Sequence, residues 1–157
     1  MSGFRRGVRL GVDVGRARVG VARCDPDGML AVPVETVPRA EEAIDRLAAI
    51  AEEHAPLEFV VGLPVNLRGA DTASTTDARE FAAALQRRTG IAVRLVDERL
   101  STVTAHAALR SSGRTQKNSR SIVDQIAAVV LLQQAIDTEK STGNPPGATV
   151  PLDEESP

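Results

Sequence analysis

Near the N-terminus, apolar residues come in short unbroken runs rather than at helical spacing. Residues 8–14, 18–24 and 30–37 read as strands, the last two joined by the turn sequence Asp25-Pro26-Asp27-Gly28. Beyond Pro38 the period lengthens: Ala43, Ile44, Leu47, Ile50 and Ala51 repeat as one helix face that ends near His54, ahead of Pro56. A short buried strand follows at 59–62, then the polar loop 64–75, then a helix with Ala78, Phe81, Ala82 and Leu85 on one face, closed by Gly90. Residues 91–96 form a fifth strand. The last third is helical, with one helix over 102–112 ended by Gly113 and a second over 121–137, separated by the polar stretch 114–120.

This order predicts an α/β fold: a five-stranded mixed sheet flanked by helices, with a hairpin-built half followed by parallel crossover strands. Residues 1–8 read as a flexible N-terminus, 9–137 as one domain and 138–157 as a disordered tail, rich in Pro and Gly and without periodicity. The 157 residues, 42% of them hydrophobic, suffice for a core that folds unaided. No run reaches the roughly 18 apolar residues of a membrane span, and the start lacks a signal-peptide core, so a cytoplasmic protein is expected. The single cysteine, Cys24, excludes an internal disulfide and reads as a small buried strand residue.

The net charge of −2 hides an uneven distribution. Between Arg99 and Val123 there is no acid, while Arg99, Arg110, Arg114, Lys117 and Arg120 all fall there. Such a run is either a solvated face or a surface for phosphates.

Asp13 lies inside the first apolar run, where an ionised carboxylate without a partner is costly. A right-handed crossover puts its strand beside the fourth, at the centre of the sheet, and Glu98 directly follows the fifth strand. The C-terminal edge shared by these parallel strands, the usual ligand crevice of open α/β sheets, draws Asp13 and Glu98 together. On the last helix Asp124 shares a stripe with the small residues Ala127 and Ala128 and with Leu131, so its carboxylate can reach the crevice from a closely packed helix. For Asp124 alone, an acid in the first turn of a helix is also favoured by the dipole.

Two carboxylates about 4 Å apart repel by about 4 kcal/mol at an effective dielectric near 20, so three together need a counter-charge. Oxygen ligands without a His or Cys cluster suit Mg²⁺ or Mn²⁺, two ions acting when substrate is bound. His54 and His106 read as surface residues. Gly11, Gly15 and Gly20 either permit a tight strand connection or let a phosphate backbone approach the strand. Arg18 on the second strand can clamp a phosphate or form a surface ion pair. Asn66 and Arg68 sit at the same sheet edge in a loop that can also be a simple turn. Ser101 and Thr102 cap the next helix or bind phosphate at its N-terminus. Arg110, Arg114, Lys117 and Arg120 complete the candidate substrate-binding set.

With "GVDVGRARVGVA", "VVGLPVNLRG", "DERLST" and "VDQIAA" in this order, the chain resembles the YqgF (RuvX) family of the RNase H-like superfamily over residues 9–137. The resemblance implies a five-stranded mixed sheet and a metal-binding catalytic set at Asp13, Glu98 and Asp124. It also implies a nuclease that matures the 5′ end of 16S ribosomal RNA or resolves four-way DNA junctions. Two features depart from the pattern: Cys24 where many members have Ser, and a segment before Asp124 that is less basic than usual.

With no Trp or Tyr and only Phe4, Phe59 and Phe81, the chain has little to stack on unpaired bases, which points to a duplex, stem or junction. The first motif also resembles the phosphate loop of actin-like ATPases, but those need a second such domain. A non-catalytic binding module is the other alternative, and it has no need of all three acids. Monomer and homodimer both remain open.

Overall fold

The computed structural model describes residues 4–64, 68, 70–97 and 116–151, with the side chains of the last helix described from Asp124 onward. The elements are β1 (Arg9–Val14), β2 (Arg18–Cys24), β3 (Ala31–Pro38), α1 (Ala43–His54), β4 (Glu58–Leu63), α2 (Ala73–Thr89), β5 (Val93–Asp97), α3 (Gln116–Thr142) and β6 (Ala148–Thr149). They form one mixed sheet in the order β3-β2-β1-β4-β5-β6. β1, β2 and β3 are antiparallel, β1, β4 and β5 are parallel, and β6 returns antiparallel to β5. Pro33 lies exposed on β3, an edge strand, where its missing N–H breaks no ladder.

Alternation along the strands divides the core into two layers. Leu10, Val12, Phe59, Val61, Val93 and Leu95 pack with Leu47 and Ile50 of α1 and with Ala78, Phe81 and Leu85 of α2. On the other face Ala22, Cys24, Ala31 and Val60 pack with Ala128, Leu131, Leu132, Ala135 and Ile136 of α3. Local signals stop the helices where the sequence predicts: α1 ends on Ala55 in the left-handed conformation before Pro56, and α2 on Gly90 at φ 71°. α2 begins with a capping box in which Thr72 and Thr75 satisfy each other's backbone. Among the described residues, no helix is long and apolar enough to cross a membrane.

Three expectations need correction. The sheet has six strands, because the presumed tail folds back: β6 pairs with β5, and Val150 donates its N–H to Val93 O at 2.8 Å. The last helix spans 27 residues, so 116–120 continue it rather than linking two helices. The expected helix over 102–112 lies outside the described residues. Residues 4–8, assigned to a flexible start, are tied down in the described structure. Gly7 N–H donates to Pro26 O at 2.8 Å, and Phe4 lies beneath the Arg9 guanidinium, 4.6 Å from ring centre to Cζ.

A buried ionic network closes the N-terminal edge of the parallel strands. Glu139, only 1% exposed, accepts from Arg5 Nη2 at 2.8 Å and from Arg9 Nη2 at 3.1 Å. Glu58 accepts from Arg5 at 3.0 Å and from Arg94 at 3.2 Å. Burial pushes the Glu139 carboxyl up, but hydrogen bonds from the Arg5 side chain and backbone and the charges of Arg9 and Arg5 win, holding it near 2.

A folded value below the unfolded one means stability that is complete above pH 4.5 and is lost as pH falls toward about 2. Glu139→Gln leaves Arg9 buried without its charge partner and is expected to cost about 3 kcal/mol at pH 7. In urea denaturation the gap between variant and wild type should narrow clearly at pH 3; a gap independent of pH would show that Glu139 is not held ionised.

Candidate active site

Directly opposed residues on neighbouring strands share a face of the sheet. Asp13 of β1 opposes Gly20 of β2, and Gly20 opposes Thr36 of β3. On the other side, the parallel register Val12 to Val61 makes Gly62 of β4 the next neighbour of Asp13, and Gly62 pairs with Val96 of β5. Asp13 therefore stands in a row between two glycines, at the C-terminal edge of the parallel strands.

That row faces α3. A Cβ on Gly20 would lie 2.0 Å from the Asp124 carbonyl oxygen and 3.0 Å from Asp124 Cβ. One on Gly11 would lie 2.9 Å from Ala128 O. The helix backbone thus rests on the strands where side chains are missing, and Asp124 occupies the space above Gly20, the strand partner of Asp13. The stripe continues as predicted, with Ala127, Ala128 and Leu131 buried. Because α3 begins at Gln116, Asp124 is not in its first turn, and the dipole explanation of its position falls away. Gly11 and Gly20 serve helix packing, a role that neither sequence-based reading of them included.

Arg18 joins this cluster. Its Nε donates to Asp124 Oδ2 at 2.7 Å. The β1–β2 turn that carries it is braced: Gly15 N–H donates to Arg18 O at 2.9 Å, and Arg39 donates from its backbone to Ala17 O and from Nη1 to Gly15 O, each at 2.9 Å. Arg39 also forks onto Asp77 at 2.9 and 3.0 Å and lies over the Phe81 ring. The Arg39 hydrogen bonds hold the Asp77 carboxyl below the usual range. Arg39 was missed by sequence reasoning, and no spacing signals it, since its partners lie far away along the chain. Next to Asp124, Gln125 Nε2 donates to Thr36 Oγ1 at 2.8 Å, fixing the helix over the same row.

The RuvX family profile, described as Holliday junction resolvase, matches residues 7–138. The chain belongs to the RuvX family. Similar curated proteins carry the name "Putative pre-16S rRNA nuclease". The one from Clavibacter michiganensis is 54% identical over 151 residues, covering 94% of each chain. The one from Leifsonia xyli is 55% identical over 149 residues, covering 94% of this chain and 96% of its own. Among solved structures, T. thermophilus RuvC in complex with a Holliday junction substrate aligns with a TM-score of 0.54 at 18% identity, covering 88% of this chain and 98% of that one. That likeness concerns the fold, the RuvC-like form of RNase H.

In this RuvX-family chain the structure pairs Arg18 with Asp124 and places Asp124 over Gly20, the strand partner of Asp13. Arg68 is exposed in the connection between β4 and α2. Glu98, Asn66, Ser101, Thr102, Arg110 and Arg114 lie outside the described residues, as does His106. Lys117 and Arg120 belong to the first turns of α3 rather than to a loop, and their side chains are likewise outside the description. Among the described residues no group of three metal-ligating side chains is present. Cys24 is buried with its thiol pushed up by burial, and its Sγ accepts from Arg9 N–H at 3.3 Å.

Gly20→Ala drives a methyl group into the Asp124 backbone, which cannot move aside alone. A cost of about 3 kcal/mol in denaturant unfolding is expected, against about 1 kcal/mol for Gly90→Ala, which meets no atom within 4 Å and only opposes its left-handed φ. Equal costs would mean that α3 does not rest on Gly20.

Proposed function

We propose that this chain is a divalent-metal-dependent nuclease that hydrolyses phosphodiester bonds in structured nucleic acid and processes the 5′ end of pre-16S rRNA. The observation that carries the reading is the placement of Asp124 over Gly20, the strand partner of Asp13, on one face of the sheet at the C-terminal edge of the parallel strands. Glu98 is the third ligand in this reading. It follows directly in sequence after β5, whose Val96 packs on the α3 side of the sheet.

The donors fit a hard cation: they are carboxylate oxygens, with no thiolate or imidazole among them, as Mg²⁺ or Mn²⁺ requires. When bound, a pair of such ions activates a water and stabilises the leaving oxygen of the phosphodiester. The chain's own residues then have separable tasks. Asp13, Glu98 and Asp124 hold the cations. Arg18, Asn66, Arg68, Ser101 and Thr102 orient the scissile phosphate at the sheet edge, and Arg110, Arg114, Lys117 and Arg120 track the backbone beyond it. With three phenylalanines as its whole aromatic complement, the chain binds by backbone and shape rather than by stacking on bases.

Junction resolution is the second reading, supported by the family description and the likeness to RuvC. Paired cuts in a four-way junction call for two active sites related by a two-fold axis, whereas end trimming needs one. Incubation with Mn²⁺ and either a precursor rRNA stem or a four-way junction, together with sedimentation of the protein, separates the two. A monomer that cuts the stem supports rRNA maturation; a dimer making symmetrical cuts in the junction alone supports resolution.

Asp13→Asn, Glu98→Gln and Asp124→Asn should each abolish cleavage with melting temperatures equal to or above wild type, because each loses a ligand and relieves repulsion. Full activity in any one of them would remove that residue from the site. Binding to a duplex should weaken roughly 100-fold between 50 and 200 mM salt if about four phosphates are contacted. A flat salt dependence, or unchanged affinity in the Lys117→Ala, Arg120→Ala double variant, would contradict the assignment of that surface.

A further inference from the structure

Arg18 lies on the carboxylate that the proposed active site needs for its metal. The ion pair joins a side chain 34% exposed to one 15% exposed, so the guanidinium reaches solvent while Asp124 faces inward. Among the described residues Arg18 donates through Nε alone, and its Nη1–Nη2 edge takes no partner. The braced turn around Gly15 and Arg39 fixes the Arg18 backbone and leaves the side chain as the part that can move.

We propose that Arg18 is a positioning residue: an internal counter-cation that balances Asp124 in the metal-free protein and passes to a substrate phosphate when a divalent cation takes over the carboxylate. This rests on the reading of Asp13, Glu98 and Asp124 as metal ligands. Asp124 is held over the strands by a helix seated on glycine, so its carboxylate stays in place and calls for a positive charge in the metal-free protein. An arginine supplies it, and its fork then matches a phosphate with two parallel hydrogen bonds. A part-exposed ion pair of this kind contributes little to stability, so its loss leaves the fold intact. Metal and nucleic acid thereby become coupled through one side chain, and the coupling is reciprocal: each raises the other's affinity by the same factor.

The test uses the full chain with Arg18→Gln and Arg18→Lys. Without nucleic acid, calorimetric titration should find Mn²⁺ bound about tenfold more tightly by Arg18→Gln than by wild type, with Arg18→Lys close to wild type. Replacing EDTA by Ca²⁺ should tighten binding of a short RNA stem about tenfold in wild type and much less in Arg18→Gln. Unchanged or weaker Mn²⁺ binding in Arg18→Gln overturns the proposal. So does an equal loss of stem affinity with and without Ca²⁺, which would make Arg18 an ordinary phosphate contact. A melting temperature for Arg18→Gln far below wild type overturns it too, by making the pair structural. If wild-type protein binds no Mn²⁺, the active-site reading itself fails and this one falls with it.

Discussion

The contact on which the rest of the molecule depends is backbone against backbone: α3 seated on β1 and β2 at Gly11 and Gly20. A side chain at either position would occupy the space taken by Ala128 O or Asp124 O. The small stripe Ala127 and Ala128 is the helix's half of the same fit. Close seating buries Leu131, Leu132 and Ile136 against Ala22, Cys24 and Val60. It also determines how far above the sheet the Asp124 carboxylate stands, and hence whether two acids from distant parts of the chain can act on one object.

Seating at one end does not set the position of the helix along its axis, and a slip of one turn moves a residue by about 5 Å. The opposite end answers that need. Asp124 and Glu139 are separated by about 22 Å of helix at 1.5 Å per residue, enough to reach both ends of the strand beneath them, which is about 17 Å long. Glu139 meets Arg9 at the start of β1, while Asp124 lies over Gly20, the residue opposite Asp13 near its end. Helix and strand thus run antiparallel, with an ion pair toward each end: Glu139 with Arg9 and Asp124 with Arg18. Buried ion pairs are poor sources of net stability but good devices for fixing registry, and registry is what the carboxylate end requires.

The elements whose residues obey a clear period were legible: β1, β2, β4, α1 and α2 lie where alternation, the 3.6 repeat and the Gly90 and Pro56 stops put them. Asp13, Asp124 and Arg18 were legible as candidates because an acid in an apolar run and an acid on a small-residue stripe are local oddities, and an arginine on the second strand can reach the same crevice. What failed was non-local or featureless. A glycine's missing side chain carries no sign of which element fills the gap, so Gly20 could not be matched to a helix a hundred positions away. The first turns of α3 carry polar residues without a period. Glu139 counted as one more tail acid until its arginines were found at the other end of the chain, and the two-residue β6 lies beyond any periodicity test.

A phosphodiester is an anion, and a crevice lined with carboxylates repels it. In the proposed reading, the arrangement at the end of β1 resolves this opposition with two kinds of positive charge. One is mobile and external, the divalent cation that the carboxylates suit. The other is covalently present: Arg18, with Arg39 bracing the turn that carries it. A purely structural cluster of acids has no use for a part-exposed guanidinium that spends only its Nε on its carboxylate partner among the described residues, and a purely phosphate-binding surface has no use for Asp13 held between two glycines. The combination makes sense when charge must be exchanged during the binding cycle, with the same carboxylate balanced by arginine before the cation arrives and by the cation once substrate is held. On that logic the glycine-seated helix is not only a stability device. It holds Asp124 in place over the strand beside that of Asp13, and in the proposed reading that makes the packing of the fold the source of the site's demand for a counter-charge.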